Sequence, residues 1–321
     1  MKIEAKVDIF TLKKVFTISR GSRTAAEVVT VKLTKNNTFG FGECVPYKRY
    51  DETVDSVIKQ INELGPIKNR VELNNLLPPG AARNALDCAF WDLEAKLNNT
   101  SVENLLSIKT LPLITSYTLS IDTPEIMGQE AKKNSNFPIL KIKLGGGEED
   151  LDRIKSIRLA APNTKIIVDA NEGWTLNEYK NLIPHFVEFD IKMIEQPFPA
   201  GNDEDLRNID RPIPICADES CHDSASLDKC IGKYDVVNIK LDKTGGLTEA
   251  LKLKIKAKQL GFEIMVGCMI GSSLAMAPAI LVAQGVKWVD LDGPLLLSKD
   301  REYPLHIDGS KIHPPSTELW G

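Results

Sequence analysis

Leu140-Lys141-Ile142-Lys143-Leu144, followed at once by Gly145-Gly146-Gly147, alternates apolar residues with two lysines. Residues two apart on a strand share a face, so Lys141 and Lys143 point one way and Ile142 the other. On a parallel strand of a closed barrel, one face packs under helices and the other looks inward. Two ammonium groups inside a barrel are costly to desolvate unless anions answer them. On a solvent-facing edge strand the same two lysines need no answer. The choice rests on where the rest of the chain puts its anions.

Short apolar strands alternate with helical stretches on both sides of this segment. Strands are predicted over 115–120, 139–145, 164–170, 191–197, 214–220, 236–242, 263–269 and 288–294. Eight strands at nearly even spacing are the pattern of a parallel α/β barrel. No helix is evident after the last strand, so a modified TIM barrel, (β/α)7β, is expected over residues 111–294. Residues 1–110 read differently, as strands followed by helices: an N-terminal α+β capping domain, completed by part of the tail 295–321. Its strands are predicted over 2–7, 27–33 and 39–43, with a hairpin turn at Lys35-Asn36-Asn37. A basic loop, 19–23, lies between the first two strands, and a second, 46–50, follows the third. Helical spacing follows over 53–64 and more strongly over 81–97, where Ala82, Ala85, Leu86, Ala89, Phe90, Leu93 and Leu97 form one face.

Composition narrows the function classes. The chain has 321 residues, 42% hydrophobic and 26% charged, with a net charge of −4. That balance gives no nucleic-acid footprint and no basic membrane patch. The longest apolar run, 274–283, is far short of the roughly 20 residues a membrane span needs. No signal-peptide core precedes the first strand, and the six cysteines form no CxxC pair. A cytoplasmic protein with reduced thiols is expected.

Barrel active sites lie at the C-terminal ends of the strands. Read in turn, those ends carry Lys143, Asp169, Glu195, Asp218 and Lys240, each about one strand–helix unit after the last. Any one carboxylate here has an ordinary alternative as a helix N-cap. Three on adjacent strands would repel one another in a closed site, and a divalent cation resolves that repulsion. An all-oxygen ligand set suits Mg²⁺. The lysines then flank the metal on the second and sixth strands. A metal that takes a substrate carboxylate stabilises the charge left when the α-proton departs, and a lysine on each side moves that proton. Such lysines must titrate below their usual value near 10.4; the cation, and Lys141 beside Lys143, are expected to lower them.

Lys141-Ile-Lys143, Asp169-Ala-Asn, Glu195-Gln-Pro, Asp218-Glu-Ser and the lone Lys240 together resemble the enolase superfamily, in its muconate-lactonising-enzyme-like subgroup. The resemblance covers nearly the whole chain. It implies a metal-stabilised enediolate formed by abstracting a proton α to a carboxylate. It assigns Asp169, Glu195 and Asp218 as metal ligands, Lys143 and Lys240 as the acid/base pair, and Lys141 as a supporting lysine.

The eighth strand ends Asp290-Leu291-Asp292, with both carboxylates on one face. With the metal ligands assigned elsewhere, a substrate ammonium fits them. This DxD is similar to that of dipeptide epimerases, which implies a substrate of the L-Ala-D/L-Glu type. The alternative is a rim pair that caps backbone N–H groups. Thr118, on the first barrel strand, is included among the expected substrate contacts. The basic loops contribute Arg20, Arg23, Lys48 and Arg49, which favour an acidic side chain at the epimerised residue, with Arg20 the first choice of reader and Arg23 the second. Competing readings are an o-succinylbenzoate synthase, a muconate-type cycloisomerase, an N-acylamino-acid racemase, and a binding barrel without catalysis. Gly145-Gly146-Gly147 is read as a plain loop, His222 as a rim residue and Lys243 as a loop or surface lysine. The partners expected are a small dipeptide and Mg²⁺, with no nucleic acid and no membrane; a homo-oligomer stays open.

Overall fold

The computed structural model describes all 321 residues. A three-stranded antiparallel sheet comes first, over Lys2–Ile18, Gly21–Lys35 and Thr38–Cys44. The first two strands pair from Lys2 opposite Thr34 out to Ile18 opposite Gly21. The predicted loop at 19–23 is therefore only a Ser19-Arg20 tip, and Arg23 sits on a strand opposite Phe16. The arm is longer than its alternation indicates because most of its outer half is exposed on both faces. At the other turn, Asn36 and Asn37 take φ of 51° and 60°, the left-handed pair that a tight hairpin requires.

Helix Ala81–Leu97 lies on this sheet. A Cβ on Gly42 would stand 2.0 Å from Ala85 O, and one on Gly40 2.3 Å from Ala89 O, so only glycine admits the helix this closely. The helix reads as amphipathic but is buried almost all round. Its polar residues face the barrel: Arg83 donates to Thr244 O at 2.6 Å, and Asp87 accepts from Thr248 Oγ1 at 2.6 Å. Helix Val54–Asn62 starts in a capping box at Thr53. Two short helices, Arg70–Leu76 and Val102–Leu106, were not predicted; each is too brief to show a period.

The barrel strands are Tyr117–Leu119, Ile139–Lys143, Lys165–Asp169, Ile191–Glu195, Ile215–Ala217, Val236–Ile239, Glu263–Gly267 and Trp288–Asp290. They form one parallel sheet in chain order. Ser116 N donates to Val289 O at 2.9 Å and brings the two ends together. The crossovers differ from seven regular helices. After the fourth and fifth strands they hold only the short 3₁₀ turns Glu204–Arg207 and Leu227–Cys230. A short helix, Gly293–Leu296, does follow the eighth strand. No helix is long and apolar enough to cross a membrane.

The tail runs back over both parts. Ile307–Asp308 and Lys311–Ile312 pair with Leu113–Ile114 in a third small sheet. Trp320 Nε1 donates to Cys88 O at 3.0 Å, and Gly321 N to Asp92 Oδ1 at 2.7 Å. All six cysteines are free thiols.

Inside the barrel, Ile167, Met193, Cys216, Val236, Met265 and Trp288 make a buried apolar layer. Two residues further along the same strands stand Asp169, Glu195, Asp218, Asn238 and Asp290. The period of two therefore stacks a polar layer directly on an apolar floor.

Candidate active site

The polar layer opens into a pocket lined by Lys141, Lys143, Asn171, Asp218, Glu219, Lys240, Asp290 and Asp292, roofed by Arg20, Arg23, Tyr47 and Tyr50 from the first sheet and the loop after it. Thr118 lines it too. The lysines on the second strand thus face inward and are answered by carboxylates.

Asp169, Glu195 and Asp218 are buried and offer oxygen atoms that all lie within 4.8 Å of one another. Lys143 Nζ donates to Asp169 Oδ2 at 2.6 Å and to Asn171 Oδ1 at 3.1 Å. Lys240 Nζ donates to Asp218 Oδ2 at 2.7 Å. The second and sixth strands are four apart in an eight-stranded ring, so the two ammonium groups flank the carboxylates from opposite sides. Lys141 Nζ lies 2.7 Å from Glu195 Oε2 and 3.2 Å from Asp169 Oδ2.

The three carboxylates titrate differently. Burial, joined by the neighbouring Asp169 and Asp218 charges, pushes Glu195 up to about 7. Its Oε2 accepts no well-aligned hydrogen bond, despite the nearby Lys141. Asp218 is also buried, yet Lys240 and Lys243 hold it well below the usual carboxylate range. Three close carboxylates with an unsatisfied oxygen among them fit a hard divalent cation. The protein's own groups do not tune Lys240 downward. Burial alone would lower Lys240, but Asp218 and Glu195 outweigh it and raise it. Lys141 is raised in the same way by Asp290, Glu195 and Asp169. Lowering Lys240 requires positive charge among those carboxylates.

Asp290 and Asp292 do not act as an equivalent pair. Asp290 Oδ2 accepts from Lys141 Nζ at 2.8 Å, and its Oδ1 from Ser116 Oγ at 2.7 Å. Its cation is therefore the protein's own lysine. Asp292 has no cationic partner in ion-pair contact and accepts from Thr118, whose N–H stands 2.6 Å away. Burial and the adjacent Asp290 push it up to about 7. The rim-capping alternative describes part of its role, since that one N–H is capped.

The basic loops are also unequal. Arg20 is already neutralised by Glu219 at 2.7 Å and Glu172 at 3.1 Å. Arg49 forms a two-pronged pair with Glu172, both contacts 2.7 Å, and Lys48 is exposed to solvent. Arg23 lines the pocket, packs on the Tyr47 ring at 4.8 Å and has no carboxylate partner.

Lys243 is not a surface lysine. It is wholly buried and donates to Asp218 Oδ1 at 2.7 Å, with Asp218 O, Cys221 O and Asn238 O also in reach. Sequence reading missed it because it follows the sixth strand by a single helical turn, which folds it back under Asp218. It also gave no part to Asn238, whose Nδ2 donates to Glu195 Oε1 at 2.8 Å. Asn238 lies two residues before Lys240, and that spacing was the available signal. Glu219, buried beside Arg20 and Asn171, left none, because its neighbour Asp218 already occupied the strand end. His222 is half-buried against Tyr50, and the N–H groups of Gly145 and Gly146 are used up on Asp150, as a plain loop requires.

Known proteins resemble this chain over nearly its full length. The mandelate racemase/muconate lactonizing enzyme N-terminal domain family matches residues 3–107, and the enolase C-terminal domain-like family matches 127–317. An N-acetyl-D-glutamate racemase of Pseudoalteromonas sp. is 45% identical over 300 residues, covering 92% of this chain and 95% of that one. The L-Ala-D/L-Glu epimerase of Escherichia coli is 44% identical over 306 residues, covering 93% and 95%. Among solved structures, an enolase family member from Agrobacterium tumefaciens, with bound sodium and L-Ala-L-Glu, superposes with a TM-score of 0.96 at 47% identity over 99% of both chains. The dipeptide epimerase of Enterococcus faecalis, complexed with Mg and L-Leu-L-Tyr, gives 0.90 at 28% identity over 98% of this chain and 96% of that one. With both halves matched and such relatives covering nearly its full length, the chain belongs to the mandelate racemase/muconate lactonizing enzyme group of the enolase superfamily and is an isomerase of its racemase and epimerase kind.

Proposed function

We propose that the chain is a Mg²⁺-dependent dipeptide epimerase that inverts the α-carbon of the C-terminal residue, with L-Ala-D/L-Glu as substrate. The single observation that carries the dipeptide reading is Asp292: a buried carboxylate lining the pocket, without a cation of its own. A substrate α-ammonium supplies that cation; an N-acylated amino acid does not.

Asp169, Glu195 and Asp218 are the residues that would hold the metal. When bound there, the cation supplies positive charge for the substrate carboxylate and offsets the negative charge left as the α-proton departs. The lysines do the proton work. One of Lys143 and Lys240 enters neutral and takes the proton from its face; the other enters as ammonium and returns one to the opposite face. The roles exchange for the reverse direction. Lys141 remains an ammonium, held by Asp290, and keeps positive charge between the fourth and eighth strands.

Arg23 is the better reader of an acidic side chain, ahead of Arg20, because it alone of the two has no carboxylate already bound. Thr118 serves by fixing Asp292 through its backbone N–H. The relative that racemises N-acetyl-D-glutamate supports the second reading, with Asp292 protonated and neutral. The two are separated by kcat/KM for L-Ala-L-Glu against N-acetyl-L-glutamate with the same enzyme and Mg²⁺. A preference of at least tenfold for the dipeptide supports the first reading, and the reverse preference establishes the second.

A further inference from the structure

The proposed reaction gives Gln196 no part, yet its side chain is fully buried and both polar atoms are in use. Its Oε1 accepts from Asp218 N at 2.9 Å and from Ser220 N at 3.1 Å. Its Nε2 lies 2.8 Å from Phe198 O, 2.9 Å from Ser220 Oγ and 3.0 Å from Tyr234 OH. The backbone at Gln196 takes a φ of 38°, a left-handed conformation that glutamine rarely adopts. That kink turns the side chain from the end of the fourth strand onto the loop after the fifth.

The amide cannot turn over. Asp203 Oδ2 accepts from Ser220 Oγ at 2.7 Å and from Tyr234 OH at 2.6 Å. A carboxylate only accepts, so both hydroxyls must point their protons at it. Each then shows a lone pair to Gln196 and calls for the NH₂ end there. The carbonyl end is left for the two backbone N–H groups. Asp203 is itself held by Lys233 Nζ at 2.6 Å.

We propose that Gln196 is a positioning residue for the metal site: its amide fixes the 218–220 backbone against the fourth strand and so sets the Asp218 carboxylate relative to Glu195. This rests on the reading of Asp169, Glu195 and Asp218 as metal ligands. Groups that orient metal ligands typically account for 10- to 100-fold in affinity.

The test is calorimetric titration of Mg²⁺ into wild type and Gln196→Met, with Tm recorded for both. Methionine keeps the length and loses both polar ends. The expected result is a Kd raised 10- to 100-fold, with kcat returning to within a few-fold of wild type at saturating Mg²⁺. A merely structural role would lower Tm and leave the Kd of the folded protein unchanged. Tyr234→Phe loosens the back of the clip more gently and is expected to raise Kd severalfold. It supplies the answer if Gln196→Met does not fold. A Kd within twofold of wild type in folded Gln196→Met overturns the proposal; if that variant is unfolded, the same result in Tyr234→Phe does. Wild type that binds no Mg²⁺ overturns the metal reading itself, which is a different and distinguishable failure.

Discussion

Lys141 Nζ stands 2.8 Å from Asp290 Oδ2 and ties the second barrel strand to the eighth. The same ammonium reaches Glu195 at 2.7 Å, so one buried charge serves two carboxylates on distant strands. This relationship splits the Asp290-Leu291-Asp292 pair into an anchor for a protein cation and a free carboxylate for a substrate one. The two substitutions should therefore differ in kind. Asp292→Asn is expected to raise KM for L-Ala-L-Glu by about ten- to hundredfold, the scale of a charge-assisted hydrogen bond of roughly 1.5–3 kcal/mol. Asp290→Asn acts through Lys141 and is expected to lower kcat with little change in KM. Steady-state kinetics on the two variants checks the split.

Asp292 also sets a pH dependence. Burial and Asp290 push it up to about 7, so below that pH it carries a proton and cannot pair with an ammonium. The expected outcome is a kcat/KM for L-Ala-L-Glu that rises with pH through about 7, and an acid limb that flattens in Asp292→Asn. Linkage gives the stability sign. The folded protein binds this proton more tightly than the unfolded chain does. The contribution is therefore full below the ordinary carboxylate range and is lost as pH rises to about 7. Chemical denaturation of the metal-free protein across that window, against Asp292→Asn, measures it.

Arg23→Ala is expected to reduce kcat/KM for L-Ala-L-Glu about tenfold more than for L-Ala-L-Ala, equivalent to about 1.4 kcal/mol of side-chain recognition. Arg20→Ala should reduce both substrates alike, since Arg20 joins the hairpin tip to Glu219 and Glu172 instead of facing a vacant partner. A kinetic comparison of the two dipeptides with each variant reads this directly.

Lys243→Met removes a wholly buried ammonium from Asp218 and takes one donor from each of three backbone carbonyls. Breaking a buried pair costs about 3–5 kcal/mol, whereas a surface lysine is worth within about 0.5. Urea unfolding of the variant tells the two apart, and a large loss is expected.

The barrel and the positions of its polar residues were legible because strand alternation and even spacing are local signals. Lys143, Asp169, Glu195, Asp218 and Lys240 each end a strand, and the ends of a parallel barrel meet by construction. What pairs with what was not legible. Nothing in Asp290-Leu291-Asp292 says that Lys141, on the far side of the ring closure, claims one carboxylate and not the other. Lys243 and Gln196 were missed for a related reason. Both leave the strand direction, one by a helical turn and one by a left-handed kink, so the period of two no longer predicts where they point. The long hairpin arm was cut short because a strand exposed on both faces carries no alternation to read.

The proposed chemistry is proton transfer at one α-carbon by two opposed lysines. The most direct test is L-Ala-L-Glu incubated with enzyme and Mg²⁺ in D₂O, followed by mass spectrometry and chiral separation, for wild type, Lys143→Ala and Lys240→Ala. Wild type is expected to incorporate one deuterium per molecule, confined to the α-carbon of the Glu residue, and to convert the substrate to L-Ala-D-Glu. Neither variant should epimerise, with exchange surviving from one epimer in each and from opposite epimers in the two. Deuterium in the Ala residue, or undiminished epimerisation by either lysine variant, would overturn the two-lysine mechanism.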